Sequence, residues 1–407
     1  MPVLQKATAM NVLFLTSHLP YPPVSGGRLR EFELLRRVGL RADVHLCAVS
    51  KTFDQDRQLA QDLRGFCANV AVFPAHGSTN GDGPLGRYES PSASAYVREL
   101  LAWGDIDAVH AESFYLAQHV PESTATPLLL VEQNVEYTLW RQRFGAAPSF
   151  EDRLAALRAY RVVREAERAA WRRSSMVGTV TAEDQAVIRA SMPGLDVRVV
   201  PDGADHLRGR LDCVSPEART VVMVANYAYE PNADGAFWFC EQILPRLRSR
   251  VPDVKIVLVG NEPSAELRLR QDENFVVTGR VPRVEPYLDR AAVVICPLRI
   301  GGGIKVKVLE ALSRGKALVT TRIGTQGFGE GIGDAVAVAD SATAFADRVA
   351  LLLERPAERG RLEGAARDFA RRLPSWDDAA NTLLNCYEEL AERRRPRRGL
   401  ASSLARI

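Results

Sequence analysis

The apolar positions of the chain switch between two spacings. The runs "NVLFLT" (residues 11–16) and "ADVHLCAV" (residues 42–49) have the length of buried strands. Between them, Leu29, Phe32 and Leu35 recur at the spacing of one helix face. A strand, a helix and a second strand in this order form a βαβ unit. Such units predict parallel strands in a sheet that helices cover.

The same order starts again in the second half of the chain. The run "TVVMVAN" (residues 220–226) has strand character, "AFWFCEQILPRLRSR" (residues 236–250) is helical, and "DVKIVLVG" (residues 253–260) is the next strand. Strands that alternate with helices are typical of doubly wound sheets. We therefore predict an α/β protein with two Rossmann-like doubly wound domains, at residues 1–212 and 213–375.

The end of the chain has a different pattern. An amphipathic helix is predicted at residues 376–395, beginning at Trp376. One stripe of this helix carries the small and apolar residues Ala379, Leu383, Cys386 and Leu390. Residues 396–407 follow an arginine-rich run, and we expect them to form a disordered basic tail.

Composition and charge exclude several classes of protein. The net charge of the 407 residues is +3, which is too small to favour nucleic acid as a partner. Five arginines lie between Arg393 and Arg398, but no aromatic residues interleave with them. The six cysteines form no CxxC pair, which favours a reducing compartment. The chain has no apolar run of about 18 residues and its start, "MPVLQKATAM", lacks a signal-peptide apolar region. We expect a cytoplasmic protein.

The stretch at residues 151–173 is rich in arginine. A solvated helix face explains this composition. Contact with an acidic membrane surface or an anionic substrate explains it as well. The second interpretation would place the protein peripherally on the inner face of the membrane.

The segment "CPLRIGGGIKVKVLEALSRGKALVTT" (residues 296–321) carries the candidate chemistry. Three consecutive glycines, from Gly301 to Gly303, follow a predicted strand and precede a predicted helix. Glycines allow a sharp turn and the close approach of a ligand. In doubly wound folds, ligands bind outside the carboxyl ends of the strands. The N–H groups at the start of the helix can hold phosphate oxygens there.

Charged residues at the start of this helix support an anionic ligand. Lys305 and Lys307 lie in the first predicted turn, where the helix dipole disfavours cations unless an anion is bound. Glu310 follows one turn later. A carboxylate suits a ribose diol, as it does in other nucleotide-binding folds. Together these residues predict a site for a sugar–diphosphate ligand.

The segment "PLRIGGGIKVKVLEALSRGKALVTTRIGTQGF" resembles the donor-site signature of the retaining GT-B glycosyltransferases of family four, the glycosyl transferases group 1. "TGRVPRVEPYLDRAAVVICPL" and "FLTSHLPYPPVSGGRLREFELLRRV" resemble the same family, and the resemblance extends over residues 11–392. It implies a GT-B fold, in which two Rossmann-like domains face each other across a cleft. The first domain would hold the acceptor and the second the sugar nucleotide. A last helix would cross back to the first domain.

The resemblance also implies roles for single residues. Glu310 would hold the ribose hydroxyls, and Arg280 and Val281 would lie beside the base, Val281 through its backbone. Gly26 and Gly27 would form the loop that closes on the phosphates and the acceptor. The other residues placed at the donor site are Gly301, Gly302, Gly303, Asn226, Leu309, Gly324 and Gln326.

The chain departs from the family pattern at the donor site. Gly302 occupies the place of the first of two glutamates, which often faces the donor sugar. Asn226 and Asn232 stand where an arginine and a lysine are usual. We expect Lys305 and Lys307 to supply the missing positive charge from the other side of the diphosphate.

A further departure lies in the segment "IDAVHAESFYLAQ" of the first domain. The family often has a histidine at the place of Glu112, two residues after His110. We expect either His110 or Glu112 to face the donor sugar. Asn134 would lie in the acceptor cleft, and His18, in the first loop, is another candidate.

These residues predict a glycosyltransferase that moves a sugar from a nucleoside-diphosphate sugar, preferably a UDP-sugar, to an acceptor hydroxyl with retention of configuration. Lys307 and Lys305 would stabilise the leaving diphosphate, and His110 and Glu112 are the other candidate catalytic residues. No metal ion or other cofactor is expected, because the lysines supply the charge and no DxD motif or histidine cluster is evident. The acceptor could be a glycan, a lipid-linked molecule or a natural product.

Two other functions fit the same motifs. One is a nucleotide-sugar 2-epimerase of the same fold, which would form no glycoside. The other is a non-catalytic protein that binds a nucleotide sugar, an interpretation that the missing first glutamate favours.

Overall fold

The computed structural model describes residues 10–76, 85–147, 149–205 and 216–394. The predicted basic tail at residues 396–407 lies outside these ranges, and so does the predicted domain boundary at residues 212 and 213. Among the described residues, none of the helices combines the length and the apolar character needed to cross a membrane.

The first domain is built on a sheet of seven parallel strands. They are β1 (Met10–Thr16), β2 (Ala42–Ser50), β3 (Asn69–Pro74), β4 (Ala108–Glu112), β5 (Leu128–Glu132), β6 (Met176–Thr179) and β7 (Val197–Val199). Their spatial order is β3-β2-β1-β4-β5-β6-β7. The direction in which strands are added reverses between β1 and β4. This switch point opens a crevice at the carboxyl ends of the two strands.

Among the described residues, seven α-helices accompany this sheet. They are α1 (Gly26–Val38), α2 (Phe53–Leu59), α3 (Pro91–Ala102), α4 (Phe114–Ala117), α5 (Glu136–Ala146), α6 (Phe150–Arg173) and α7 (Ala182–Ser191). Several begin at a polar N-cap, as helices commonly do. The Ser149 hydroxyl accepts a hydrogen bond from Asp152 N (3.0 Å) at the start of α6, and Thr181 caps α7 in the same way.

The second domain repeats this plan with six parallel strands. They are β8 (Thr220–Val224), β9 (Lys255–Val259), β10 (Phe275–Gly279), β11 (Val293–Cys296), β12 (Leu318–Thr320) and β13 (Ala337–Val338), in the order β10-β9-β8-β11-β12-β13. The helices are α8 (Glu230–Trp238), α9 (Leu244–Arg250), α10 (Ala265–Leu269), α11 (Glu285–Arg290), α12 (Val306–Ser313), α13 (Ile332–Ala335), α14 (Ala342–Glu354) and α15 (Pro356–Ala370). The switch point lies between β8 and β11. It corresponds to the one between β1 and β4.

The last helix, α16 (Trp376–Arg394), packs on the first domain although it follows the second. Its apolar stripe, which includes Trp376, Leu383 and Tyr387, shares a hydrophobic core with side chains of β1 and α1 such as Phe14 and Leu34. These side chains are fully or almost fully buried. The last helix therefore completes the core of the first domain.

The two chain segments that connect the domains lie side by side. Ala204 N donates to Pro374 O (2.9 Å), and Trp376 N donates to the Asp205 carboxylate (2.7 Å). A Cβ atom on Gly203 would lie 2.3 Å from Trp376 N. Only a glycine at position 203 allows the first connecting segment to approach the second so closely.

Candidate active site

The carboxyl ends of the two sheets face each other across a cavity of about 840 Å³, which both domains line. A cavity of this size is typical of sites for small organic ligands. Most of the residues predicted from the sequence line it. They are His18, Gly26, Gly27, Glu112, Asn134, Asn226, Asn232, Arg280, Val281, Gly301, Gly302, Lys305, Lys307 and Glu310.

Some predicted donor-site residues do not line the cavity. Leu309 is fully buried in the core of the second domain, because it is turned by about 100° around α12 from Glu310. Gly324 is also set back, and a Cβ atom there would lie 1.9 Å from Thr320 Oγ1. Gln326 lies behind the glycine segment, where it reaches Lys305. These three positions, which were predicted to lie at the donor site, do not line the cavity, and the contacts described for them lie inside the second domain.

The consecutive glycines form a contact between the domains. Gly303 has a left-handed backbone (φ +59°), and a Cβ atom on it would lie 2.3 Å from the Gln133 carbonyl oxygen of the first domain. A Cβ atom on Gly302 would lie 3.0 Å from Asn134 Cβ. Gly303 was predicted to lie at the donor site together with Gly301 and Gly302. It does not line the cavity, however, and packs behind the cavity wall. At Gly302 the first domain leaves little room for the longer side chain that the family pattern has there.

Gln142 of α5 holds the first of the glycines with its side-chain amide. Its Nε2 donates to Gly301 O and its Oε1 accepts from Gly301 N, both at 3.0 Å. Gly26, at the start of α1, adds a close packing contact between the domains, since a Cβ atom on it would lie 2.9 Å from Val306 Cγ2. The two domains thus meet directly at the start of α12. Gln142 was not predicted, because its partner lies 159 residues away.

Lys305 is the N-cap of α12, and its side chain stabilises the glycine segment. The Nζ atom donates to the carbonyl oxygens of Gly302 (3.0 Å) and Gly303 (2.7 Å) and reaches Gln326 Oε1 at 3.4 Å. Only 7% of the residue is exposed. Burial lowers the pKa of this ammonium group to about 8. No side chain caps the helix here, because a lysine cannot accept a hydrogen bond.

Lys307 is the second residue of α12 and is half-buried. Its Nζ donates to Asn232 Oδ1, and Asn232 Nδ2 donates to Asn226 O (2.7 Å). Burial lowers the pKa of Lys307 below its usual value. The hydrogen-bond acceptors named for both lysines are neutral oxygen atoms. The charge of Glu310 also attracts Lys307, and the charges of Asp184 and Glu183 attract Lys305. The Asn232 side chain therefore binds Lys307, and the backbone of Asn226 orients Asn232.

The predicted nucleotide contacts lie at one end of the cavity. Arg280 and Val281 directly follow β10, and Glu310 lies on the second turn of α12. Gly279, the last residue of β10, has φ +70°, a conformation that a glycine adopts readily. The structure therefore brings the three predicted residues to the wall of the same cavity.

His110 does not face the cavity, in contrast to Glu112. Its ring is completely buried behind the cavity wall and stacks on Phe14, with ring centroids 4.0 Å apart. Nδ1 lies 2.5 Å from the Tyr387 hydroxyl and Nε2 lies 3.1 Å from Glu112 Oε1. The prediction of a direct role for His110 is therefore corrected. Along β4 the two side chains share one face of the sheet, but only the one at the strand end reaches the cavity.

The Glu112 carboxylate is held by three neighbours. It accepts hydrogen bonds from His110 and from Gln133 Nε2 (3.1 Å), and Arg30 Nε lies 3.6 Å away. Burial by itself raises the pKa of this carboxyl group. The Arg30 charge and the hydrogen bonds outweigh that effect and hold the pKa below its usual value. Glu112 is thus a buried but ionised group in the cavity wall.

Arg30 was missed by the sequence analysis. It is 1% exposed, and its Nη1 pairs with Asp202 Oδ1 at 2.6 Å. A sequence signal exists, because Arg30, Leu34 and Val38 lie on one face of α1 at intervals of four residues. An arginine in line with two buried apolar residues is expected to need a buried partner.

His18 contacts a second buried carboxylate of the first domain, that of Glu31. Its Nε2 is 2.9 Å from Glu31 Oε2. Burial raises the pKa of the Glu31 carboxyl group, although His18 acts against this. In the part of the chain that the structure describes, no three or more His, Cys, Asp or Glu side chains are grouped as a metal site would require.

Residues 218–355 match the family described as glycosyl transferases group 1. A phosphatidyl-myo-inositol mannosyltransferase of Mycobacterium tuberculosis is 27% identical over 213 residues, which cover 49% of this chain and 55% of that protein. The chain spans between 36% and 55% of the length of the first curated relatives that it matches.

Solved structures resemble the whole chain. Sucrose-phosphate synthase from Thermosynechococcus elongatus has a TM-score of 0.69 at 13% identity and covers 94% of this chain and 100% of its own. Anabaena HepE in complex with UDP and glucose has a TM-score of 0.64 at 15% identity and covers 93% of this chain and 99% of its own. These similarities confirm the predicted GT-B fold.

Proposed function

We propose that the protein is a glycosyltransferase that moves a sugar from a nucleoside-diphosphate sugar, preferably a UDP-sugar, to an acceptor hydroxyl with retention of configuration. One observation carries this proposal. The buried Lys305 and the half-buried Lys307, whose hydrogen-bond acceptors are neutral oxygen atoms, lie at the uncapped start of α12 in the wall of the cavity between the domains. Buried positive charge of this kind is suited to a diphosphate.

The comparisons support the same reaction class. The matched family segment, residues 218–355, includes the glycines, both lysines and Glu310. The HepE structure was obtained with UDP and glucose. The name of the mycobacterial relative describes sugar transfer to a phosphatidyl-inositol. A lipid-linked or glycan acceptor is therefore part of the proposal.

In the proposed reaction the bond between the anomeric carbon and the diphosphate oxygen breaks, and a bond to the acceptor oxygen forms on the same face of the sugar. The acceptor proton moves to the departing phosphate. Lys307 and the start of α12 stabilise the negative charge of the leaving group, while Lys305 holds the backbone in place. Glu112 lies in the wall formed by the first domain. There its negative charge stabilises the positive charge that develops on the sugar.

The other cavity residues bind the two substrates. Glu310 accepts hydrogen bonds from the ribose hydroxyls, and Arg280 and Val281 contact the base. Asn134 and Gly27 lie on the side where the acceptor binds. We propose that the lysines make a metal ion unnecessary, and activity that persists in EDTA would test this part.

A ligand screen followed by turnover tests the function. UDP, GDP, ADP and dTDP are compared by thermal shift, and the sugar donors of the nucleotide that binds are then assayed with glycan and lipid-linked acceptors. Nuclear magnetic resonance of the product reports the anomeric configuration. A glycoside with retained configuration is expected. An epimerised donor without a glycoside, or binding without turnover, would reject the proposed reaction.

We also propose that the protein is cytoplasmic and makes a peripheral contact with an anionic membrane through the start of α6. Phe150 is 81% exposed and Leu154 is exposed one turn later. The exposed Arg153, Arg158 and Arg161 follow on the same helix and outnumber the exposed Glu151 and Asp152 of its first turn. Apolar side chains flanked by arginines are typical of helices that bind the membrane surface.

Cosedimentation with vesicles tests this contact. The Phe150→Asp variant should bind vesicles of anionic lipid more weakly than the unchanged protein, because it loses apolar contact and gains repulsion. Leu269→Asp is the matched control, since Leu269 is 85% exposed in the second domain. Equal binding by both variants, or no binding by the unchanged protein, would reject the membrane contact.

A further inference from the structure

A line of buried polar groups runs from the last helix to the cavity wall. The Tyr387 hydroxyl of α16 lies 2.5 Å from His110 Nδ1, and His110 Nε2 lies 3.1 Å from Glu112 Oε1. The second carboxylate oxygen of Glu112 accepts a hydrogen bond from Gln133 Nε2 (3.1 Å). Glu112 and Gln133 line the cavity, whereas Tyr387 and His110 do not.

The chemistry of these groups fixes the direction of each hydrogen bond. Burial lowers the pKa of His110, so the imidazole is neutral, and burial raises the pKa of the Tyr387 phenol well above its usual value. The ionised Glu112 carboxylate can only accept. His110 Nε2 therefore carries the proton and donates to Glu112. Nδ1 is left as an acceptor, and the Tyr387 hydroxyl donates to it.

The surroundings leave His110 little freedom to turn. Its ring stacks on Phe14 at an interplanar angle of 25° and is completely buried. Tyr387 is also completely buried, among the apolar side chains that α16 shares with β1 and α1. If the imidazole ring flipped, its unprotonated nitrogen would point towards the Glu112 carboxylate and could not donate a hydrogen bond to it. The hydrogen bond from Tyr387 opposes this flip, because it requires the unprotonated nitrogen on its own side.

We propose that Tyr387 is a positioning residue for the active site, which fixes the orientation of His110 and through it the Glu112 carboxylate. This inference rests on the proposed function, and it adds the last helix of the chain to the parts that transfer depends on. A carboxylate that stabilises charge on a sugar must stay within a fraction of an ångström of its place. The hydrogen bonds from His110 and Gln133 hold one oxygen each.

The Tyr387→Phe variant removes the hydroxyl and keeps the ring that fills the core. We expect kcat to fall by about 10-fold, since small displacements of a group at the reacting centre are costly. The KM for the donor should stay nearly unchanged, because the residues proposed to bind the nucleotide, Glu310, Arg280 and Val281, lie in the second domain. Tyr227→Phe is the matched control. Tyr227 is 4% exposed and donates to Met223 O (3.1 Å) within the core of the second domain.

Nuclear magnetic resonance of ¹⁵N-labelled histidine separates positioning from a general loss of structure. The two ring nitrogens of His110 have different shifts according to protonation and hydrogen bonding, and a His110→Gln variant assigns them. In Tyr387→Phe, the Nδ1 resonance should move, because it loses its donor. The Tyr227→Phe control should leave it in place.

Either of two results would overturn the proposal. One is a kcat of Tyr387→Phe equal to that of the control. The other is an unchanged Nδ1 resonance, which would attribute any loss of activity to another cause. If the unchanged protein transferred no sugar, the proposed function would fail instead. The resonance would then still decide whether Tyr387 holds His110.

Discussion

The ends of β4 and β11 occupy corresponding places in the two sheets, yet they carry opposite kinds of electrostatics. At the last residue of β4, the Glu112 carboxylate is surrounded by Arg30, His110 and Gln133. After β11, Lys305 and Lys307 are held by neutral carbonyl and amide oxygens. In the first site a cation of the protein, Arg30, lies against the carboxylate, and we call this site matched. In the second site the hydrogen-bond acceptors of the lysines carry no charge, and we call this site unmatched.

The difference shows how one architecture serves two tasks. A matched buried charge keeps a fixed place, because every displacement costs an ion pair or a hydrogen bond. An unmatched buried charge raises the energy of the empty site, and burial accordingly lowers the pKa of both lysines. An anionic ligand relieves that cost. Under the proposed function, Glu112 at the end of β4 faces the sugar, and the lysines that follow β11 face the diphosphate.

Removing Arg30 should have the largest effect, because it breaks the matched site. Arg30→Met leaves the carboxylates of Glu112 and Asp202 buried without their cation, and we expect the free energy of unfolding to fall by about 3–5 kcal/mol. Urea unfolding measures this change. In the control, Arg248→Met, the exposed ion pair with Asp272 is lost, at a cost of about 1 kcal/mol or less. Equal losses in the two variants would mean that the β4 site is not a matched charge site.

Removing Lys307 tests the unmatched site. The Lys307→Ala variant should lose about 100-fold in kcat at saturating donor, in line with the loss of one group that stabilises developing negative charge. Its fold should be retained, because Lys307 lies in the cavity wall and its hydrogen bond there is to the Asn232 side chain. Lys255→Ala is the control, since Lys255 pairs with Glu217 at the surface (3.8 Å). Full activity of Lys307→Ala would show that the leaving group is stabilised elsewhere.

A smaller effect is expected where the two sites meet. The methyl group of Gly303→Ala would collide with the Gln133 carbonyl oxygen and occupy an unfavourable φ, so the domains should close less well. We expect kcat/KM for the donor to fall by about 10-fold. Small-angle X-ray scattering should show a larger radius of gyration.

The control for this variant is Gly360→Ala. Gly360 lies inside α15 with open space at its Cβ position, so alanine should stabilise the helix by about 0.5–1 kcal/mol without a change in activity. If Gly303→Ala were equally active and compact, the glycine segment would not be the point at which the domains meet.

Much of the site was predictable because its elements are local in sequence. The glycines, Lys305, Lys307 and Glu310 lie within ten residues, and their order after a strand and before a helix places them at one edge of the sheet. The burial of the Leu309 side chain was not predictable from the motif, because it depends on the position of the residue around the helix. The sequence pattern also could not predict which of His110 and Glu112 reaches the cavity, because both side chains lie on the same face of β4.

The amino-acid sequence alone determined the two doubly wound domains and the cationic start of α12. Hydrophobic spacing and turn residues act over about ten residues, so they can be read without the fold. Only the tertiary structure decided the partners: Arg30 with Asp202, Gln142 with Gly301, and Tyr387 with His110. These pairs are separated by 172, 159 and 277 residues. Such contacts depend on which strand ends and which helix faces meet, and this is settled by the packing of the whole chain.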